Sequence, residues 1–258
     1  MPKPGQPELS LARALREWWK DGLEREGFAR TLKRFLAEAW EFLRDSTPQR
    51  RRSRWGDADF DWDYRVDTTS ATVGWRARLL GVFHSAYQPT EPALFHEMLR
   101  ALAIHFPDFT FVDLGSGKGR TLLMASDYPF RRILGVELLP ELDGVARENI
   151  RRYHRDTQRC FALASTCGDA REFVFPPEPT VLYLFNSLPE RALKSVTANL
   201  DRSLQQYPRA VYVLYHHPLL ESVLLRTTTW KRIGGTHQYA VYSNVEPHAV
   251  GGFRPLQD

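Results

Sequence analysis

The chain has 258 residues, of which 43% are hydrophobic and 26% charged, and its 35 basic and 31 acidic side chains leave a net charge of +4. That composition excludes a disordered chain, and the length permits one large α/β domain or one domain with an appendage. No apolar run reaches the roughly 18–20 residues needed to cross a bilayer. The opening Met1-Pro2-Lys3-Pro4-Gly5 lacks a signal-peptide core, and Cys160 and Cys167 alone build neither a disulfide framework nor a four-cysteine zinc site. A cytoplasmic protein without a membrane role is expected.

The first predicted element is helical and spans Leu9 to Asp45. Leu11, Leu15, Trp18 and Trp19, and then Phe28, Leu32, Phe35, Leu36, Trp40 and Leu43, recur at helical spacing. Gly22 and Gly27 between the two sets predict a kink or break. Ser46-Thr47-Pro48 stops the helix, and the run Arg50, Arg51, Arg52 and Arg54 follows. Such a run can contact a protein or anionic partner, although a solvated linker is the plainer reading. This extension and linker, residues 1–54, is set apart from a main domain over 55–258.

From Trp55 to Tyr64, aromatic and acidic residues interleave. Asp57, Asp59, Asp61 and Asp63 invite comparison with a calcium loop, which needs glycine sixth and glutamate twelfth. Trp62 and Thr68 stand there instead, and none of the eight histidines completes a metal constellation. Tyr87-Gln88-Pro89-Thr90-Glu91-Pro92 is a loop leading into a helix, with Pro92 in its first turn and Leu94, Phe95, Met98, Leu99, Leu102 and Ala103 as an apolar stripe.

A regular alternation follows. Strands are predicted over Thr110–Leu114, Arg132–Glu137, Phe161–Cys167, Thr180–Phe185 and Ala210–Tyr215. Helices lie between them from Gly119 to Ser126, from Pro140 along Leu142, Val145, Ala146, Ile150 and Tyr153, and from Pro189 to about Leu204. This pattern predicts a doubly wound, mostly parallel sheet. Thr229–Ile233 and Gln238–Ser243 around Gly234-Gly235 predict a closing antiparallel hairpin.

The segment Asp113-Leu114-Gly115-Ser116-Gly117-Lys118-Gly119-Arg120 carries the chemistry. Glycines between a strand and a helix let the backbone bend and a ligand approach. A dinucleotide fingerprint would place glycine where Arg120 stands. The Asp113 carboxylate, two residues before the first glycine, would repel a pyrophosphate and suits a cationic amino group. Glu137 closes the second strand eighteen residues after Gly119, an interval at which acids bind ribose hydroxyls in adenosine-binding sheets. Asp169 could accept from an adenine amino group or serve as a plain turn aspartate. Lys118 and Arg120 are expected in solvent. Tyr183, Asn186 and His216-His217 fall at carboxyl ends of strands, where open α/β sheets bind ligands. Adjacent histidines on a strand face opposite ways, so one at most is expected to reach the site.

Val112-Asp113-Leu114-Gly115-Ser116-Gly117-Lys118-Gly119-Arg120, with Gly135-Val136-Glu137 and Gly168-Asp169-Ala170, resembles the motif series of class I S-adenosylmethionine-dependent methyltransferases over roughly residues 87–245. A narrower resemblance, to the non-SET histone-lysine methyltransferase family and its bacterial relatives, rests on Asp113-Leu114-Gly115-Ser116-Gly117, Tyr87-Gln88-Pro89 and Asn186-Ser187-Leu188-Pro189-Glu190. The resemblance implies a seven-stranded Rossmann-like sheet, S-adenosyl-L-methionine as cofactor, and a covering segment over 55–109. It implies cofactor contacts at Tyr87, Thr90, Asp113, Gly115, Ser116, Gly117, Gly119, Glu137, Leu138, Asp169, Ala170 and Asn186. Asn186 would lie beside the reacting methyl, with Tyr183 and His216 as further catalytic candidates. Asn186 is not followed by the Pro-Pro-aromatic that clamps a flipped base, so a protein side chain or small molecule is favoured as acceptor over a nucleobase. An adenosylmethionine-binding module without transfer activity and an NAD-dependent oxidoreductase are the alternatives. The acceptor and the oligomeric state are not specified by the sequence.

Overall fold

The structure, a computed structural model, describes residues 58–69, 89–185 and 188–245, and positions 16, 19, 20, 22–24, 26–33, 35 and 36. Tyr87, Asn186 and the arginine run at 50–54 lie outside the described residues. The chain divides into two compact units, Met1–Gly56 with Thr69–Tyr87, and Asp57–Thr68 with Gln88–Asp258.

In the first unit the described residues between 16 and 36 are helical except Gly27. Its φ of 77° places the predicted break there, since side-chain-bearing residues rarely adopt that conformation. The two helical stretches pack closely. A Cβ at Gly22 would come within 2.7 Å of Thr31 Cγ2, and Trp19 meets Phe28 and Phe35 edge-on.

The second unit opens with helix α1 (Ala58–Tyr64) and continues with α2 (Pro92–Arg100), β1 (Thr110–Leu114), α3 (Arg120–Ala125), β2 (Arg132–Glu137) and α4 (Pro140–Arg152). Then come β3 (Leu163–Cys167), β4 (Thr180–Phe185), α5 (Glu190–Gln206), β5 (Val211–His216), the single turn α6 (Glu221–Leu224), β6 (Lys231–Gly235) and β7 (Tyr239–Ser243). The seven strands form one sheet in the order β3-β2-β1-β4-β5-β7-β6. All pairs from β3 to β5 are parallel. β7 runs antiparallel to both β5 and β6.

Strands β1, β4 and β5 are nearly continuous apolar runs, as expected where helices cover both faces. One face buries Phe111, Tyr183, Leu214 and Val241 against Phe95, Met98 and Leu99 of α2 and Leu122 of α3. The other buries Val112, Leu114, Leu182, Leu184 and Val213 against Leu193, Val196 and Leu200 of α5. Each side chain of roughly Leu size removed from water there contributes about 1.5–3 kcal/mol. The third strand starts at Leu163, two residues later than expected, and Phe161 is exposed.

Two features of this frame position the site. The chain leaves β1 toward β2 on one side while β4 lies on the other, so the end of β1 is the switch point where such sheets bind ligands. Register then sets Gly135, Asp113, Tyr183 and Leu214 in one row across β2, β1, β4 and β5. Side chains in a row share a face, so Asp113 and Tyr183 are neighbours on the α2 face.

Candidate functional site

The loop from Gly115 to Gly119 turns sharply out of β1. Gly115, Gly117 and Gly119 have φ of 90°, 54° and 81°, a region open to glycine at little cost. The turn is tied to β2: Gly115 and Ser116 N–H both donate to the Val136 carbonyl, at 2.8 and 3.1 Å. Gly117 N–H donates to Glu137 Oε2 at 2.9 Å, and Gly119 N–H to the Ser116 carbonyl at 2.8 Å. This close approach needs Gly135 beneath it, where a Cβ would lie 2.6 Å from Leu122 Cδ1 and 2.7 Å from Ser116 Oγ. Ser116 Oγ is buried without a hydrogen-bond partner among the described residues.

Two buried carboxylates flank the loop. Asp113 accepts a bond from the Thr121 hydroxyl. Burial pushes its carboxyl up to about 7; the Thr121 bond opposes this rise and the nearby Glu137 charge adds to it. Glu137 accepts from Gly117 N–H and, at 2.8 Å through Oε1, from Leu139 N–H. Burial raises its carboxyl too, against the pull of those N–H donors. Buried acids with raised pKa values mark functional sites and favour a cation beside them.

The side chains following the glycines do not face solvent as expected from the sequence. Lys118 and Arg120 are 1% and 2% exposed. Lys118 Nζ donates to Asp67 Oδ1 at 2.7 Å. Arg120 Nε donates to Thr68 Oγ1 at 2.8 Å, and Nη1 to the Thr90 carbonyl at 3.4 Å. Its guanidinium also lies 3.7 Å from Asp61 Oδ1 and 4.7 Å from the Phe60 ring centre. Buried cations require partners of this kind. Asp61, read in the sequence within an acidic series, further accepts from Thr68 N–H at 2.7 Å and from the Thr68 hydroxyl.

A second cluster lies one strand over. Tyr183 Oη is 2.8 Å from Thr90 Oγ1 and 2.9 Å from His216 Nδ1, and all three side chains are buried. Burial raises the Tyr183 phenol well above its ordinary value. Burial and the neighbouring His217 lower His216 to about 4. The trio is therefore neutral at physiological pH. The two histidines do not face opposite ways. His217 leaves the strand with φ of 50°, which breaks the two-residue alternation, and its ring stacks on His216 at 4.5 Å. Phe185 stacks on His216 from 4.0 Å.

Asp169 follows β3 and accepts from Arg171 N–H at 2.9 Å while its carboxylate pairs with the Arg171 guanidinium. Those contacts cap the turn Ala170–Glu172. Ala170 is buried beside it, and Leu138 is half-buried, its carbonyl 3.8 Å from Cys167 Sγ. The residue missed in the sequence is Asn149 on α4. Its side chain accepts from Asp67 N–H at 2.8 Å and donates to the carbonyls of Asp67 and Lys118 at 2.8 and 2.9 Å. The available signal was an asparagine on the helix stripe that also holds Leu142 and Ala146.

No protein-family model matches the chain, and neither does any curated protein. Solved structures similar to it include the ribosomal protein L11 methylase of Lactobacillus delbrueckii subsp. bulgaricus, at 15% identity over 59% of this chain and 74% of that one, with a TM-score of 0.40. An RNA methyltransferase from Salinibacter ruber in complex with S-adenosyl-L-homocysteine is 22% identical over 60% of this chain and 92% of the other, with a TM-score of 0.37. An N6-adenine-specific DNA methylase, so predicted, from Listeria monocytogenes is 15% identical over 60% and 51%, with a TM-score of 0.45. Nothing in these likenesses bears on the narrower non-SET resemblance. The strand order, with its parallel centre and antiparallel last hairpin, is itself the doubly wound seven-stranded fold that the class I methyltransferase resemblance implied.

Proposed function

We propose that the protein is an S-adenosylmethionine-dependent methyltransferase whose acceptor is a protein side chain or small molecule. The observation that carries this is how the glycine loop spends its hydrogen bonds. The N–H groups of Gly115, Ser116, Gly117 and Gly119 all donate within the protein, one of them to a carboxylate. A diphosphate cradle keeps such groups for its ligand. Here the loop presents bare glycine backbone, the orphaned Ser116 hydroxyl and two buried carboxylates, which suits a cationic amino acid joined to a nucleoside.

In this reading Asp113 faces the ammonium group, Glu137 the ribose hydroxyls, and Gly115, Ser116 and Gly117 the body of the cofactor. Tyr87, Thr90, Leu138, Asp169, Ala170 and Asn186 complete the expected set. When bound, the cofactor supplies an electrophilic methyl group on sulfur. The chain then has to hold the acceptor in line and exclude water, the main sources of acceleration for such a transfer. Thr90, Tyr183 and His216 offer a neutral array that orients an acceptor by hydrogen bonding, and Phe185 with His217 offers it an aromatic surface. A cationic amine must lose its proton before reacting, and an uncharged array does not hold it in the charged form.

Isothermal titration with S-adenosylmethionine and with NAD tests the cofactor; preferential NAD binding overturns the assignment. Transfer of a labelled methyl group to a cell lysate, compared with Asp113→Ala, tests catalysis. Binding without labelling would leave the module without transfer activity as the function.

A further inference from the structure

Residues 58–68 belong to the same unit as the sheet although 20 or more residues separate them from α2 in the sequence. Three side chains of the site hold them there. Asn149 reads the backbone of Asp67 from both sides, accepting from its N–H and donating to its carbonyl, and ties the Lys118 carbonyl into the same knot. Lys118 takes the Asp67 carboxylate and Arg120 the Thr68 hydroxyl. Lys118 and Arg120 are the two non-glycine side chains that follow Gly117. Two of the three anchors of this segment therefore leave from the glycine loop and the first residue of α3, the third is tied to the Lys118 carbonyl, and from Arg120 a further bond reaches the Thr90 carbonyl beside Tyr183.

We propose that residues 60–68 are a strap whose docking on Lys118, Arg120 and Asn149 sets the shape of the glycine loop, making these three positioning residues for the cofactor. This inference rests on the proposed function. Its physical content is a linkage: if the loop holds cofactor in one shape, and that shape requires a seated strap, each event must favour the other by the same factor. An unseated strap would leave a buried lysine, arginine and asparagine without these partners, a costly state, so the loop would not keep its shape. Arg65 supplies a reporter, since it is exposed, lies in a turn with φ of 53°, and sits inside the strap.

The test uses the full chain, with S-adenosylhomocysteine as the probe. Trypsin cleavage between Arg65 and Val66, identified by fragment mass, reads strap release, because proteolysis needs local opening. Titration calorimetry reads affinity in parallel. The expected result is a saturable slowing of that cut by the probe. Thr68→Val and Asn149→Leu, which remove two and three hydrogen bonds, should speed the cut and weaken binding at least about tenfold. Thr68→Ser, which keeps the hydroxyl, should restore both. Should Asn149→Leu fail to fold, the Thr68 pair alone decides. Binding to the wild type with an unchanged cut, or wild-type affinity in Thr68→Val, overturns the strap alone. No binding to the wild type overturns the proposed function, and the strap's role with it.

Discussion

Tyr183 Oη and His216 Nδ1 lie 2.9 Å apart with both side chains buried, and the same hydroxyl meets Thr90 Oγ1 at 2.8 Å. Tyr183→Phe keeps the ring but strands the other two polar groups without this partner. A buried group deprived in that way costs about 1–3 kcal/mol, a fall in Tm of roughly 2–4 °C per kcal/mol at this size. Removing both ends costs less than the sum. In a cycle of Tyr183→Phe, His216→Phe and the double variant, thermal melts should give a coupling of about 1 kcal/mol. Strict additivity would mean that the contact carries no energy.

Gly135 and Gly144 make a matched pair. Alanine at 135 must displace Leu122 and Ser116, whose atoms lie 2.6–2.7 Å from the new carbon, so the glycine loop moves with it. The expected cost is about 1–3 kcal/mol, with at least a roughly tenfold loss of affinity for S-adenosylhomocysteine. Gly144 lies within α4 and meets nothing within 4 Å. Alanine there should stabilise by about 0.5–1 kcal/mol and leave affinity unchanged. Calorimetric melts and cofactor titration on the two variants check both halves.

What could be read in the sequence, and what could not, divides along the range of the interactions. β1, β4 and β5 were legible because a buried strand needs only its own apolar run and flanking turn residues. The turn of the glycine loop was legible for the same reason, since Gly115, Gly117 and Gly119 bend the chain within a few residues. The burial of Lys118 and Arg120 was not, because Asp67 and Thr68 stand about fifty positions earlier in the chain. α1 was hidden by its own composition: aspartates at every second position suggest alternation, although Phe60 and Tyr64 pack at helical spacing. His217 escaped because a single left-handed residue undoes strand periodicity without any mark in its side chain.

Stability against pH should show two opposed contributions. Folding lifts the Asp113 carboxyl to about 7 from 3.8. Between those values the folded chain keeps a proton that the unfolded chain has lost, so stability falls as pH rises. Glu137, also raised, adds to that fall. His216 drops to about 4 from 6.5. In that window the unfolded chain binds the extra proton, and stability rises with pH. The two partly cancel in the wild type. Asp113→Asn should therefore steepen the rise of Tm with pH across about pH 4.5–6.5, and His216→Phe should leave mainly the fall. Parallel slopes in all three proteins would rule out both assignments.

Cofactor binding should release a proton. Around Asp113 are the Glu137 charge at the end of β2, the Thr121 hydroxyl from α3 and the neutral Tyr183 phenol beside it on β4. No positive charge is among these, and its carboxyl holds its proton until about pH 7. An incoming ammonium group favours the ionised form. At pH 6 the wild type should therefore shed close to one proton on binding S-adenosylhomocysteine, read from titration heats in buffers of different ionisation enthalpy. Its Kd should fall by up to about tenfold per pH unit on approach to 7 and flatten above. Asp113→Asn should bind more weakly, with no such proton release. A wild-type Kd that is level from pH 6 to 8 would place the cofactor's positive charge away from Asp113.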